Sequence, residues 1–267
     1  MGKKAKRTTT DATEAPRRPE TLRHTRVYGP LVLPDGKGEN DAVDLELTSK
    51  RVYQDTIFSI DGLLSPRECA AWIRYGDGQG FERSFHRQTS EMAHRDNGRI
   101  TLHSADVAEA VFARVGKFVP ANMGGRRPLA CNSNIRIYRY AVGQRFGKHI
   151  DESVDDENGL TSQWTVLIYL NGAGDGGAAA GGASGSKKKG RGDGGGAFAG
   201  AGEEGAPLRG GETVFYKGNY GDKVAAKFSP RQGACLVHGH GQQCLLHEGA
   251  AVTSGVKYLL RTDVMYG

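Results

Sequence analysis

The chain is organised around one stretch, Gly143-Gln144-Arg145-Phe146-Gly147-Lys148-His149-Ile150-Asp151. We predict a turn at Gly143 followed by a β-strand that carries the last three of these residues. Successive side chains on a strand point to opposite faces, so His149 and Asp151 point the same way. The stretch therefore places an imidazole beside a carboxylate.

An imidazole beside a carboxylate supplies two of the three ligands of a 2-His-1-carboxylate iron(II) site. His247 is the candidate third ligand, because it follows the apolar run Cys244-Leu245-Leu246. His238 and His240 are rival candidates. They flank Gly239 and precede another glycine, which favours a turn with solvated histidines. Spacing alone leaves the choice open.

Lys257 lies ten positions after His247, in the apolar run Val256-Lys257-Tyr258-Leu259-Leu260. A buried amine is costly unless an anion meets it. The distal carboxylate of 2-oxoglutarate is such an anion. Three protein ligands also leave three positions of an octahedron open, two for a 2-oxo acid and one for dioxygen.

Residues 172–211 hold 17 of the 40 glycines. Such a segment cannot bury enough apolar area to offset its ordering entropy, so we predict a flexible Gly/Ala-rich insertion at 172–210 in a strand–strand loop. Asp151 and His247 are 96 positions apart, and 57 remain once these 39 residues are removed. That gap fits a few short strands and turns.

The fold class predicted from the pattern is an all-β core with flanking helices (α+β). Many short strands with glycine-rich turns follow Asn134, which is typical of a sandwich or barrel. Two helices precede them. One begins with the capping box Ser65-Pro66-Arg67-Glu68 and is expected to end near Tyr75, and the other has a single apolar face over 105–118. We interpret the polar, cation-rich residues 82–104 as a loop beside the site.

The formal net charge of +6 is concentrated at the N-terminus. Residues 1–26 carry eight Lys or Arg and three acids, which accounts for five of these charges. We predict a disordered basic tail at 1–26, with weak nuclear-import or organelle-targeting character. No secretory signal or membrane-spanning stretch is evident, and four sparse cysteines indicate reduced thiols. We expect a cytoplasmic or nuclear protein without membrane association.

Several of these motifs, in this order, resemble the iron(II)/2-oxoglutarate dioxygenases of the prolyl 4-hydroxylase type. The similarity runs from about Ile57 to Tyr266, apart from the insertion. Beyond His149-Ile150-Asp151 and the His247–Lys257 pair, it includes Tyr138-Arg139-Tyr140, Thr165-Val166-Leu167-Ile168-Tyr169-Leu170 and Gly210-Gly211-Glu212-Thr213-Val214-Phe215. The stretch His94-Arg95-Asp96-Asn97-Gly98-Arg99 resembles a group of soluble plant- or algal-type homologues.

The resemblance implies a double-stranded β-helix (jelly roll) over 27–267. It implies hydroxylation of a C–H bond with Fe(II), O2 and 2-oxoglutarate, release of succinate and CO2, and support by ascorbate. His149, Asp151 and His247 would bind the metal, Lys257 would complete the catalytic set, and Tyr140 and Thr165 would help Lys257 hold the cosubstrate. Arg261 is expected to form a structural ion pair, and the alternative is that it is an additional partner for the cosubstrate carboxylate.

The substrate is expected to be a peptide or protein, with proline as one candidate residue. Arg95, Asn97 and Arg99 are the candidate substrate-contacting residues, although their loop departs from the family's usual pattern. The alternatives are a nucleic-acid oxidative demethylase anchored by the basic tail, a non-catalytic jelly-roll binding protein and a zinc hydrolase. The near-neutral charge of residues 27–267 disfavours the demethylase. The intact ligand set disfavours the non-catalytic binding protein, and Lys257 disfavours the zinc hydrolase, which would give it no role. The sequence does not indicate an oligomeric state.

Overall fold

A computed structural model describes residues 21–29, 31, 33, 42–172, 205–219 and 221–267. Its helices are α1 (Pro66–Gln79) and α2 (Ala105–Val115). The first strands are β1 (Thr21–Tyr28), β2 (Val43–Tyr53), β3 (Ile57–Asp61), β4 (Glu82–His86), β5 (Arg95–His103), β6 (Pro128–Cys131), β7 (Asn134–Tyr140) and β8 (Phe146–His149). The later strands are β9 (Thr161–Tyr169), β10 (Arg209–Gly210), β11 (Thr213–Lys217), β12 (Lys223–Phe228), β13 (Cys235–Gly239), β14 (His247–Gly249), β15 (Val252–Ser254) and β16 (Lys257–Tyr266).

The strands form two antiparallel layers that meet at one edge. The larger layer has the order β3-β13-β9-β16-β7-β5, and the smaller has the order β8-β14-β11-β12. They join where Arg95 of β5 pairs with Phe146 of β8. This arrangement confirms the predicted all-β core with flanking helices and the double-stranded β-helix. The candidate ligands lie between the two layers.

Helix α1 begins as the sequence predicted. The Ser65 hydroxyl accepts a hydrogen bond from the Glu68 amide, and the Glu68 carboxylate accepts one from the Ser65 amide. The predicted end near Tyr75 is wrong, because the helix continues to Gln79. Gly76 is buried against the ring of Phe81, where a β-carbon would come within 2.8 Å of that ring. This glycine therefore serves helix packing rather than a turn.

A buried ion pair connects α1 to α2. The Arg114 guanidinium donates to the Glu68 carboxylate at 2.7 and 3.2 Å, and it also donates to the carbonyls of Leu63 and Gly29. The Leu31 amide donates to the same carboxylate. The pair thus fastens the N-terminal segment to both helices. Neither helix of the described residues is long and apolar enough to cross a membrane.

Two predicted boundaries need correction. Residues 21–26, assigned to the disordered tail, lie in β1 and pair with β2, because Leu22 and His24 alternate inward from the exposed residues between them. Arg209–Gly210, assigned to the insertion, form β10 and pair with β15. The remainder of the tail (1–20) and most of the insertion (173–204) lie outside the described residues.

The predicted loop at 82–104 is also wrong. Its residues form β4 and β5, which pair with each other antiparallel. Strand β5 also pairs with β7, so neighbouring strands on both edges stabilise a strand whose first half, residues 95–99, is polar and has no apolar alternation. Only residues 87–94 connect the two strands as a loop.

Candidate active site

Two of the proposed ligands are cross-strand neighbours. His149 ends β8, His247 begins β14, and the two residues pair directly across the antiparallel ladder. Their ring centroids are 4.2 Å apart, and Phe146 stacks on His149 with centroids 3.8 Å apart. The distance between the two imidazoles is therefore set by strand register rather than by a loop.

Asp151 completes the group two residues beyond His149. Its Oδ1 lies 3.6 Å from His149 Nε2, and its Oδ2 lies 3.9 Å from His247 Nε2. The ligand atoms of these three residues all lie within 4.8 Å of one another. The structure thus brings together the three residues that the sequence predicted.

Both imidazoles are held in the tautomer that metal binding needs. Nδ1 of His149 lies 2.8 Å from the carbonyl of Gly147, and Nδ1 of His247 lies 2.9 Å from the carbonyl of Leu245. A ring nitrogen near a carbonyl must be the N–H donor, which leaves Nε2 as the lone-pair atom facing Asp151. Metal-binding histidines are commonly oriented by such a second hydrogen bond.

The protonation states agree with this geometry. Burial, with a contribution from His247, lowers the pKa of His149 to about 4, and burial also lowers the pKa of His247. Burial alone would raise the pKa of Asp151, but the charge of Arg261 and the neighbouring imidazoles hold it well below its usual value. At neutral pH the site offers two neutral nitrogens and one carboxylate. This donor set fits iron(II).

Lys257 lies at the other end of a cavity that also contains the three ligands. Its side chain is 3% exposed, and its Nζ donates to the carbonyl of Gly211 at 2.6 Å. The rings of Tyr140 and Tyr169 lie 5.3 and 5.4 Å from Nζ. No carboxylate of the described residues lies within ion-pair distance of this amine. The cavity therefore presents an unneutralised cation to any anion that enters it.

Comparison with known proteins identifies this architecture. Residues 135–262 match the family model described as the 2OG-Fe(II) oxygenase superfamily, a stretch that runs from β7 into β16 and includes all three ligands and Lys257. The chain carries a 2OG-Fe(II) oxygenase domain. The enzyme is a 2-oxoglutarate- and iron(II)-dependent dioxygenase. No curated relative matches the chain.

Three solved structures resemble the oxygenase at low identity. A viral collagen prolyl hydroxylase from Paramecium Bursaria Chlorella virus-1 is 18% identical, with a TM-score of 0.47 over 79% of this chain and 96% of its own. A prolyl hydroxylase from Trichoplax adhaerens is 13% identical, with a TM-score of 0.46 over 79% and 83%. A prolyl-4-hydroxylase from Pseudomonas putida is 15% identical, with a TM-score of 0.41 over 78% and 91%.

The two rival histidines of the oxygenase are not solvated, contrary to the sequence prediction. His238 is 1% exposed and His240 is 5% exposed. The His238 ring packs against the rings of Phe215 and His247. The two ring nitrogens of His240 lie within hydrogen-bond distance of the Ser162 and Thr165 hydroxyls. Nε2 of His238 lies 3.7 Å from Asp151 Oδ2 and has no hydrogen-bond partner in the described structure.

His238, Cys244 and His247 form a second group with metal-ligand atoms in range. Two observations make this group the weaker metal site. Nδ1 of His247, the atom nearest the Cys244 sulfur, is already bonded to the carbonyl of Leu245. Burial also raises the pKa of the Cys244 thiol to about 12, which opposes formation of the thiolate. The oxygenase triad has neither obstacle.

The structure brings Tyr140 to Lys257 but not Thr165. Tyr140 of β7 pairs directly with Lys257 of β16. Thr165 instead donates to Asp151 Oδ2 at 2.8 Å and lies 2.7 Å from His240 Nε2. Tyr169 shares the face of Thr165 on β9, four residues or about 13 Å further along the strand. Counting every second residue along the strand from Thr165 could have identified Tyr169 as a residue of the same face.

Thr213 is a cavity residue that the sequence reasoning did not single out. Its hydroxyl lies 2.7 Å from the Tyr169 hydroxyl, and Thr213 lines the cavity that contains Lys257. The sequence clue to Thr213 was its position directly after Gly210-Gly211-Glu212. It lies at the start of β11, which pairs with β14, the strand that carries His247.

Of the three candidate substrate residues, only Arg95 lies beside the ligands. Its guanidinium lies 4.2 Å from the Phe146 ring and lines an outer cavity that reaches His149. Asn97 is completely buried, and Arg99 lines a different cavity along β4 and β5. The sequence prediction for Asn97 and Arg99 treated a paired strand as a loop, so it did not account for their different surroundings.

Proposed function

We propose that this oxygenase hydroxylates a C–H bond of a peptidyl substrate and releases succinate and CO2. One observation carries the proposal: a triad suited to iron(II) and a buried lysine without an anionic partner occupy the two ends of one cavity. His149, Asp151 and His247 would hold the metal, which supplies the redox chemistry that couples dioxygen and 2-oxoglutarate to C–H oxidation.

Lys257 and Tyr140 would bind the distal carboxylate of 2-oxoglutarate. Because Lys257 Nζ donates only one recorded hydrogen bond, to Gly211, it retains protons for a ligand. The Tyr140 hydroxyl makes no recorded hydrogen bond and lines the same cavity. Apolar Leu167 and Leu259 would pack against the methylene carbons between the two carboxylates. These contacts orient the cosubstrate with its 2-oxo acid end toward the triad.

The outer cavity supports a peptide as the substrate. It has a volume of about 310 Å³ and opens beside His149, with Met92 and Ile150 half exposed at its rim. Among the described strands, β4 pairs with β5 alone, so its other edge is free to face an extended chain. A prolyl residue is the first candidate for hydroxylation, on the basis of the family resemblance. Ascorbate is proposed on the same basis as a supporting reductant.

The test is succinate formation from 2-oxoglutarate with iron(II), ascorbate and dioxygen. We expect uncoupled turnover by the wild type, and its loss in His149→Ala and Lys257→Ala. Matched controls are His103→Ala and Lys217→Ala, which remove exposed side chains of the same types away from the cavity. A purified protein that neither binds iron(II) nor consumes 2-oxoglutarate would contradict the proposal. A panel of proline-containing and alanine-substituted peptides then tests the substrate class by mass gain of one oxygen.

A further inference from the structure

The two oxygens of Asp151 have different surroundings. Oδ2 accepts a hydrogen bond from the Thr165 hydroxyl at 2.8 Å and another from Arg261 Nη2 at 3.0 Å. Among the described residues, Oδ1 has no hydrogen-bond donor, and it lies 3.6 Å from His149 Nε2. One carboxylate oxygen is therefore held by the protein, while the other remains available to a ligand.

The Thr165 hydroxyl belongs to a chain of hydrogen bonds with a single direction. Because Thr165 gives its only proton to Asp151, the contact at 2.7 Å requires His240 Nε2 to be the donor. With the ring neutral, His240 Nδ1 then accepts from the Ser162 hydroxyl at 3.2 Å, and Ser162 accepts from the Val154 amide at 2.9 Å. This series of hydrogen bonds runs from the Val154 amide to the Asp151 carboxylate.

Burial makes these hydrogen bonds hard to replace. Ser162 and Thr165 are fully buried, and His240 is 5% exposed, so water cannot readily take over a broken link. Arg261 adds a second constraint, since the same Nη2 lies 3.3 Å from the Thr165 hydroxyl and 3.5 Å from Asp263. The carboxylate plane of Asp151 is thus fixed from two sides.

We propose that Thr165 and Arg261 are positioning residues that hold Asp151 through Oδ2, so that it offers the metal Oδ1 alone, with His240 and Ser162 orienting the Thr165 hydroxyl. This inference rests on the proposed role of Asp151 as a metal ligand. A carboxylate held in this way binds through one oxygen. If it rotated to bind through both, it would occupy a coordination position that the cosubstrates require.

The test is titration of the metal-free protein with cobalt(II), followed by visible absorption. Thr165→Val keeps the shape of the side chain but removes the hydroxyl, and Thr165→Ser is the matched control that retains it. We expect Thr165→Val to weaken cobalt(II) binding by about tenfold or more and to change the absorption spectrum. Thr165→Ser is expected to stay within about 1.5-fold of the wild type, with an unchanged spectrum. Wild-type affinity in Thr165→Val, or an equal loss in Thr165→Ser, would overturn the proposal.

Two further variants separate positioning from folding and from ligation. Ser162→Ala removes the hydroxyl that donates to His240 and leaves the two hydrogen bonds nearest Asp151 in place. It is expected to weaken cobalt(II) binding by about threefold and to alter the spectrum. If Thr165→Val does not fold, wild-type binding and spectrum in Ser162→Ala overturn the proposal. Asp151→Ala tests ligation itself. Undiminished binding by Asp151→Ala overturns both the proposed ligand and its positioning, whereas loss in Asp151→Ala with no change in Thr165→Val overturns the positioning alone.

Discussion

Lys257 is a cation enclosed by a backbone carbonyl and two aromatic rings. Its burial lowers the pKa of its amine to about 8, and only the more distant Glu212 opposes that shift. The amine is therefore still largely protonated at neutral pH but loses its charge in the mildly alkaline range. An incoming carboxylate favours the charged form, so binding of 2-oxoglutarate and protonation of Lys257 are linked.

The affinity for 2-oxoglutarate should consequently depend on pH. The bound anion requires the ammonium form, which is present below the pKa, so affinity is expected to be flat below about pH 8 and to fall about tenfold per pH unit above it. Lys257→Arg, which stays charged throughout, should remove this slope even if its absolute affinity is lower. Calorimetric titration at several pH values measures both. An identical slope in Lys257→Arg would show that another group titrates.

The two tyrosine hydroxyls near Lys257 should differ in importance. The Tyr169 hydroxyl shares a hydrogen bond with the Thr213 hydroxyl at 2.7 Å. Among the described residues the Tyr140 hydroxyl has no hydrogen-bond partner, and Tyr140 lines the cavity. We expect Tyr140→Phe to raise the KM for 2-oxoglutarate about tenfold or more, the loss typical of a hydrogen bond to a charged group. Tyr169→Phe should change it less than about threefold. Steady-state kinetics of succinate formation compares them, and equal effects would contradict the assignment.

The sequence was informative about the site where local spacing determines which face a side chain occupies. The shared face of His149 and Asp151, two residues apart, follows from strand alternation. Tyr140 was assigned by family resemblance, and its position opposite Lys257 depends on the register of β7 and β16. Thr165 was misplaced because its position along β9 depends on the register with β16, which no local pattern encodes. His238 was misjudged because its glycine neighbours suggested a turn, whereas it lies on β13 and its ring packs against Phe215 and His247.

At the scale of elements, β5 shows how tertiary pairing overrides local propensity. Its first residues, Arg95-Asp96-Asn97-Gly98-Arg99, have the composition of a loop. One edge of this stretch pairs with β4, and the other edge pairs with β8 at Arg95 and with β7 from Gly98 onward. Asp96 also pairs with Arg83 across the strands at 3.3 Å. The helix start at Ser65, by contrast, was predictable, because a capping box is satisfied within four consecutive residues.

The buried pair between α1 and α2 should dominate the stability of the helical layer. Arg114 is fully buried and Glu68 is 3% exposed, so removing one partner leaves an uncompensated charge. We expect Arg114→Met to lower the free energy of unfolding by about 3–5 kcal/mol. Lys50→Met is the matched control, since its pair with Asp61 is exposed, and a loss of at most about 1 kcal/mol is expected. Urea denaturation of the metal-free variants checks both values.

The same pair should contribute to acid sensitivity. Burial alone would raise the pKa of Glu68, but hydrogen bonds and charge from Arg114 lower it below its ordinary value of 4.5. A depressed folded-state pKa means that the contribution is present above about pH 4.5 and is lost as the pH falls further. Glu68→Gln should therefore flatten the stability curve below pH 4.5. An unchanged curve would assign the acid sensitivity to other carboxylates.

At the scale of the whole molecule, strand pairing rather than loop length positions the site. The ligands lie on or beside β8 and β14, and Lys257 lies on β16, which pairs with β7 and β9. None of these contacts requires residues 173–204. The glycine-rich composition predicted an insertion between strands. The end of the tail and the end of the insertion were misjudged, because β1 and β10 form only by pairing with β2 and β15.

Removing the insertion should leave the site intact. We expect a variant with residues 173–204 replaced by about ten Gly and Ser residues to retain cobalt(II) affinity and 2-oxoglutarate turnover within about twofold of the wild type. The reason is that closure of a flexible loop depends only weakly on its length. Cobalt(II) titration and succinate assays provide the measurement. A loss of metal binding in a variant that still unfolds cooperatively would show that the segment contributes to the site.

The pairing of His149 with His247 has a consequence for a chain cut in two. An opening within 173–204 leaves one fragment with His149 and Asp151 and a second with His247 and Lys257. The metal would then be a ligand common to both fragments, and its binding free energy would add to their association. The oxygenase is thus suited to engineering as a split protein in which a divalent cation controls reassembly.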